Sequence, residues 1–202
     1  MSADCDYHED ERRMLLRKIC AAIVVFIVLV LLTILIIWAV LQPKKPSFVL
    51  QDATIYAFNQ SSPDLLTSNF QVTVAARNPN RRIGIYYDRL KMYVSYRDQQ
   101  ITLSTSIPPT YQGHKELDIW SPFLGGNQVP ISRYNYLALP QDKAAGAVWI
   151  TVKADGRVRF KVGAFVSKRY HLFVQCRAYI AFGTGGSFGM KLANANSCKV
   201  ND

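Results

Sequence analysis

Residues 19–41 read ICAAIVVFIVLVLLTILIIWAVL, a run without charge, Gly or Pro in which Thr33 is the only clearly polar member. As a helix rising about 1.5 Å per residue it would span roughly 34 Å, against about 30 Å of bilayer hydrocarbon, so it can cross a membrane with modest tilt. A buried core helix is the competing fate, but helices of globular proteins usually keep a polar face, and this run is apolar on all sides. A cleaved signal peptide has a shorter apolar region and a small-residue cleavage site, and no A-x-A-like site follows here. The expected element is a permanent signal-anchor helix.

The flanks set its direction. Arg12, Arg13, Arg17 and Lys18 precede the run, whereas only Lys44 and Lys45 follow it closely. The positive-inside tendency then gives a cytosolic N-terminus, with the C-terminal part outside the cytosol or in the secretory lumen. Trp38 near the outer end suits the membrane interface. The chain divides into a polar tail at 1–18, expected to be disordered; the anchor at 19–41; a linker at 42–46, where Pro43 and Pro46 stop the helix; and one domain at 47–202.

This topology changes what charge and cysteines mean. The tail is net −1, so the remainder carries +11 of a whole-chain +10. In a cytosolic or nuclear protein such an excess would suggest nucleic acid; outside the cytosol no nucleic-acid partner is expected, and the available polyanions are acidic glycans and lipid headgroups. Cys176 and Cys198 both fall in the outer domain, an oxidising space, and a disulfide between them is the natural pairing, with two buried thiols as the alternative. Cys20 lies at the membrane boundary, unmodified or palmitoylated.

From Ser47 the apolar period becomes two. Residues 48–58 are rich in β-branched and aromatic types. Phe70, Val72, Val74 and Ala76 alternate with Gln71, Thr73, Ala75 and Arg77, and Leu90, Met92, Val94 and Tyr96 alternate with Lys91, Tyr93, Ser95 and Arg97. Leu117 and Ile119 alternate with Glu116 and Asp118, whose carboxylates read as a solvated face. Val148, Ile150 and Val152, then Ala154-Asp155-Gly156, then Val158, Phe160 and Val162 suggest a hairpin turning at Asp155-Gly156. Leu172, Val174, Cys176 and Ala178 add another strand, and a last short one ends near Val200. Residues 132–143 could hold a helical turn, limited by Pro140. Seven or more short strands with turns between them predict an all-β, antiparallel β-sandwich attached to the single N-terminal transmembrane helix.

Chemistry-bearing motifs are few. Gly185-Gly186-Ser187-Phe188-Gly189 matches G-x-S-x-G literally, yet a nucleophile elbow needs a strand–turn–helix context and a downstream histidine, and none follows Ser187. His8, His114 and His171 are too scattered for a metal site, and no cofactor motif occurs. An enzyme is therefore not expected. Asn59-Gln60-Ser61 is a glycosylation sequon, expected in a loop after a strand.

The run from Asn69 through Val72-Thr73-Val74-Ala75-Ala76-Arg77 into Asn78-Pro79-Asn80, then Arg81-Arg82-Ile83-Gly84-Ile85-Tyr86-Tyr87-Asp88, and later Pro108-Pro109-Thr110-Tyr111-Gln112-Gly113-His114-Lys115, resembles the plant harpin-induced-like and non-race-specific disease resistance family. Its outer part is similar to the group-2 late-embryogenesis-abundant, or water-stress and hypersensitive-response, domain. The resemblance implies a fibronectin-like or immunoglobulin-like sandwich, a plasma-membrane location with plasmodesmata as one possible place within it, and a part in responses to pathogens or abiotic stress. It supplies no reaction and no established ligand. Asn78-Pro79-Asn80 by itself is a turn, since Pro fixes φ and Asn tolerates left-handed geometry.

One surface reading remains. Arg157, Arg159 and Lys161 alternate with apolar Val158, Phe160 and Val162, so they should project from one face about 6.6 Å apart. Arg77, Arg81 and Arg82 form a second cluster, with Lys168 and Arg169 nearby. Such a row could bind a polyanion, either an acidic cell-wall polysaccharide or an anionic membrane, through many salt-screened contacts; the alternative is that these charges only keep strand edges soluble. Other membrane defence proteins are the further partner class that the resemblance implies.

Overall fold

The computed structural model describes residues 3–40, 43–62, 64–181, 190–191 and 196–201. The G-x-S-x-G run lies outside them. The chain forms two compact units, Met1–Gln42 and Pro43–Asp202.

The first unit contains the helix α1 (Ala3–Val40). Its segment Met14–Ile36 is long and apolar enough to cross a membrane, and every side chain in it is exposed, so this is not the core helix of the sandwich. The tail expected to be disordered is helical from Ala3 onward. The cause is cooperativity: once the apolar segment has nucleated a helix, Ala, Glu, Arg, Met, Leu and Lys extend it toward the N-terminus at little further cost.

In chain order the second unit contains β1 (Ser47–Ser62), β2 (Leu65–Arg77), β3 (Ile83–Tyr96), β4 (Gln99–Gln100), β5 (Thr105–Ile107), β6 (Thr110–Gln112), β7 (Leu117–Trp120) and β8 (Phe123–Pro130). Helix α2 (Arg133–Ala144) follows, then β9 (Ala147–Val162), β10 (Phe165–Val166), β11 (Tyr170–Ala181), β12 (Met190–Lys191), β13 (Asn196–Ser197) and β14 (Lys199–Asn201). The first sheet has the order β12-β1-β2-β7, with β13 on β1 and β8 on β2; the second has β14-β11-β9-β3-β4, with β10 on β9 and β5 and β6 on β3. Every pairing is antiparallel. Phe48, Leu50, Ile55, Phe70 and Val72 of the first sheet and Leu90, Met92, Val94, Val152 and Val174 of the second are all buried in one core, which makes the all-β sandwich expected from the period-two pattern. Phe48, Tyr87 and Trp120 join the sheets through edge and tilted ring contacts.

Four local expectations are corrected. No hairpin turns at Asp155-Gly156: β9 runs unbroken from Ala147 to Val162. Gly156 serves close packing instead, since a Cβ there would lie 2.2 Å from the Arg89 carbonyl oxygen of β3. On β7 the faces are the reverse of those expected. Leu117 and Ile119 point outward and are more than half exposed, whereas one Asp118 oxygen is buried with no hydrogen-bond partner.

The segment expected to hold at most a turn is the twelve-residue helix α2, with Pro140 inside it. The carbonyl of Tyr136, which would accept from an N–H at position 140, accepts from Gln60 Nε2 at 2.8 Å, so the missing donor is replaced. Ser132 caps the helix by accepting from the Asn135 N–H. Finally, Asn59 sits in β1 opposite Thr67, not in a loop, although its side chain is exposed.

Candidate functional site

The outward face of the second sheet collects the basic row. β9 is an interior strand, paired with β3 on one side and on the other with β11 as far as Val158 and with the short β10 at Lys161 and Val162, so Arg157, Arg159 and Lys161 do not sit on a free edge. Their circumstances differ. Arg159 grips Asp88 with two nitrogens, Nε to Oδ2 at 2.9 Å and Nη2 to Oδ1 at 2.6 Å, and Arg169 Nε adds a bond to Oδ2 at 3.1 Å. Hydrogen bonding from Arg159 holds the Asp88 carboxyl below its usual range, and the same bond raises the guanidinium of Arg159. Lys161 Nζ lies 5.9 Å from the Tyr86 ring centre and 5.4 Å from that of Tyr111, cation–π geometry that leaves its charge outward. Arg157 is exposed and makes no hydrogen bond or ion pair among the described residues.

Beside Arg157 the sheet has a defect. Tyr87 pairs with Val158 but Arg89 with Arg157, so Asp88 is the extra residue of a bulge. The bulge returns Leu90 to the core and sets Asp88 and Arg89 both on the outer side. There they line an open cleft of about 630 Å³ with Lys91, Asp155, Arg157 and His171, completed by Pro109, Gly156 and Arg169. His171 Nε2 meets Asp155 Oδ1 at 3.1 Å. Arg89, Lys91 and His171 had no place in the row read from the sequence. The available signal was a change of parity: the buried positions are odd through Ile83, Ile85 and Tyr87 and even from Leu90, Met92 and Val94, which requires one extra residue between them.

The other sequence-derived residues lie apart from this face. Cys176, buried in β11, is joined by a disulfide to Cys198, the residue between β13 and β14. Because β13 pairs with β1 of the first sheet and β14 with β11 of the second, this bond lies where the chain passes between sheets. Arg77 ends β2 on the first sheet, and Arg81 and Arg82 are exposed in the bend after it. The Asn78-Pro79-Asn80 turn is a buried polar knot. Asn78 donates to the carbonyls of Ile83 and Gly113, and Asn80 both donates to and accepts from the backbone of Lys44 in the linker. Among the described residues no three His, Cys, Asp or Glu side chains converge as a metal site would require.

Comparison with known proteins bears directly on this arrangement. The family described as Late embryogenesis abundant protein matches residues 73–176, from β2 to β11. The chain is 55% identical to NDR1/HIN1-like protein 1 of Arabidopsis thaliana over 98% of both chains. It belongs to the NDR1/HIN1-like family. It is also 55% identical to NDR1/HIN1-like protein 12 over 91% of this chain and 90% of that one, and 39% identical to NDR1/HIN1-like protein 26 over 83% and 79%, both from the same plant. The stretch shared with the late-embryogenesis-abundant family thus includes the bulge, the unbroken β9 and the whole basic cleft.

Proposed function

We propose that this NDR1/HIN1-like chain is a non-catalytic, single-pass plasma-membrane protein that acts in plant defence signalling, with its sandwich on the extracellular side and a glycan on Asn59. Kinship with the NDR1/HIN1-like proteins along nearly the whole chain carries the reading, and that kinship supports a defence- or stress-related role. The fully exposed apolar stretch of α1 fits a single-pass membrane anchor. Two arms test the proposal. Protease added to intact protoplasts should remove an epitope at Asp202 and spare one at Met1; the reverse pattern ends the topology. Plants lacking the protein should lose resistance to an avirulent pathogen and recover it with the full-length gene. Unchanged resistance ends the defence reading.

A second reading is a tether between membrane and acidic wall polysaccharide, or a protectant in dehydration, and the outward cationic face of the second sheet favours it. Arg157 and Lys161 present charge from an interior strand, where edge protection does not explain them. Full-length protein in micelles should then be retained on polygalacturonate and released by salt, and an Arg157/Arg159/Lys161 to Ser variant should elute earlier. Identical elution assigns the row to solvation alone. Sensitivity to drying with intact pathogen resistance in the deficient plants would favour protection.

A further inference from the structure

We propose that the cleft beside the β3 bulge is a binding site for a single oxyanion group, phosphate or carboxylate, held between the guanidinium groups of Arg89 and Arg157. This deepens the polyanion reading at Arg157 and removes Arg159 from it, because that side chain is already committed to Asp88.

The fold holds like charges together here. Arg89 and Arg157 are direct cross-strand partners, and His171 is the partner of Arg157 on its other side, so three cationic or ionisable groups stand in one row across β3, β9 and β11. Like charges directly opposite destabilise a ladder, and neighbouring side chains in such a row begin roughly 5 Å apart. Arg89 and Arg157 have no carboxylate partner among the described residues. An anion placed between them would reverse the sign of that interaction.

The bulge aims one of these charges. Without an extra residue at Asp88, the alternation of β3 would set Arg89 on the same side as Tyr87, inside the sandwich; the bulge re-aims it outward onto Arg157. Gly156 permits this, since any Cβ there would strike the Arg89 carbonyl and the Leu90 Cα. The cleft also carries an excess of positive charge. Of the two carboxylates in the cleft, Asp88 is engaged by Arg159 and Arg169, and Asp155 meets His171 and stands opposite Lys91 in the ladder, which leaves Arg89 and Arg157 without a carboxylate between them. Two planar guanidinium forks with an ammonium beside them match the oxygens of a phosphate or carboxylate.

The test uses the full-length protein in non-ionic micelles, with inorganic phosphate and galacturonate as probes at constant ionic strength. The Nε–H resonances of Arg89 and Arg157 should move together along one saturable curve with either probe, and the unfolding midpoint should rise with probe concentration. Arg89→Gln and Arg157→Gln should each weaken that response about tenfold or more, while leaving the probe-free midpoint unchanged or higher because a like-charge contact is gone. Arg77→Gln, an exposed arginine on the other sheet, should respond as wild type. A wild-type response no larger than with chloride, or undiminished affinity in both cleft variants, overturns the proposal. Retention on polygalacturonate with no movement of these two arginines would overturn the cleft and leave the broader reading of the face standing.

Discussion

The outward side chains of the first sheet include Val49, Tyr56, Leu117, Ile119 and Phe123, all exposed, whereas the second sheet sets the basic group Arg89, Lys91, Arg157, Arg159 and Lys161 beside its own exposed Tyr111, Trp149, Tyr170 and Tyr179. Val49, Ala75 and Ile119 even form an apolar row across β1, β2 and β7. The inward faces show no such contrast, since both are built from branched aliphatic and aromatic residues. Water thus constrains the inner faces alike and leaves the outer ones to diverge. The outer face is where the two sheets differ in what they can meet.

The largest expected effect breaks the second face at its defect. Gly156→Val would place a side chain against the Arg89 carbonyl and the Leu90 backbone, and neither is the movable end of a side chain. Unfolding free energy should fall by about 4 kcal/mol or more, and the oxyanion response should vanish with it. A loss under about 1 kcal/mol would mean that β3 can withdraw, and that the bulge is not fixed by this contact.

Next in size is the staple between the faces. Removing the Cys176–Cys198 disulfide by Ser at both positions should cost about 3 kcal/mol, read from denaturant unfolding, because the bond closes a loop across 22 positions between the sheets. Peptide mapping without reductant should recover the linked pair. Two alkylatable thiols in the native protein would show that hydrogen bonding alone holds this edge.

These two sites also show how far the sequence was legible. The sandwich and the inner residues of β2, β3, β9 and β11 followed from period two, because burial on one face acts on every second residue. The disulfide followed from compartment and number. The supposed Asp155-Gly156 turn failed on chemistry that is ambiguous locally: Asp-Gly suits a turn, but a glycine also suits a close approach of two strands. The unbroken even parity from Val148 to Val158 was the better guide. On β7 the pattern misled because the outer face is itself apolar, so Leu117 and Ile119 carried the signal of a core while Asp118 and Trp120 turned inward. The cleft was hidden for a different reason, since Arg89, Arg157 and His171 are distant in sequence and become neighbours only through pairing register.

A carboxylate on each sheet sharpens the comparison, because their pH effects have opposite sign. Burial pushes the Asp118 carboxyl above its usual range, and the charge of Glu116 adds to the shift. A raised native pKa means that folding favours the proton, so stability declines as pH rises from the ordinary carboxylate range through the native value. Asp118→Asn should flatten that decline and raise stability at neutral pH, since the negative charge that burial disfavours is removed. Tyr87, whose phenol is raised by burial and then by the charge of Asp118, should titrate more readily in the variant. Asp88 behaves in the reverse sense. Its lowered pKa contributes stability above the ordinary carboxylate range that is lost as pH falls through the native value, so Asp88→Asn should weaken the protein at neutral pH and narrow the gap in acid. Matching pH profiles for the two variants would remove the distinction between the sheets.

The smallest effect is expected where the first face is made polar. Ile119 is 55% exposed, and its cross-strand neighbour Ala75 is covered from either side by Val49 and Ile119 themselves, so little apolar surface depends on it alone. Threonine keeps the β-branched shape that suits a strand. Ile119→Thr should therefore change unfolding free energy by no more than about 0.5 kcal/mol, as surface substitutions usually do. Arg89→Gln on the opposite face should be equally mild or slightly favourable in the absence of anion, so neither face would contribute much to folding and each would be free to serve a contact. A loss above about 1.5 kcal/mol at Ile119 would instead show that this face is covered in the native protein. The apolar row would then belong to an interface, and the contrast between the sheets would be one between an occupied face and an open one.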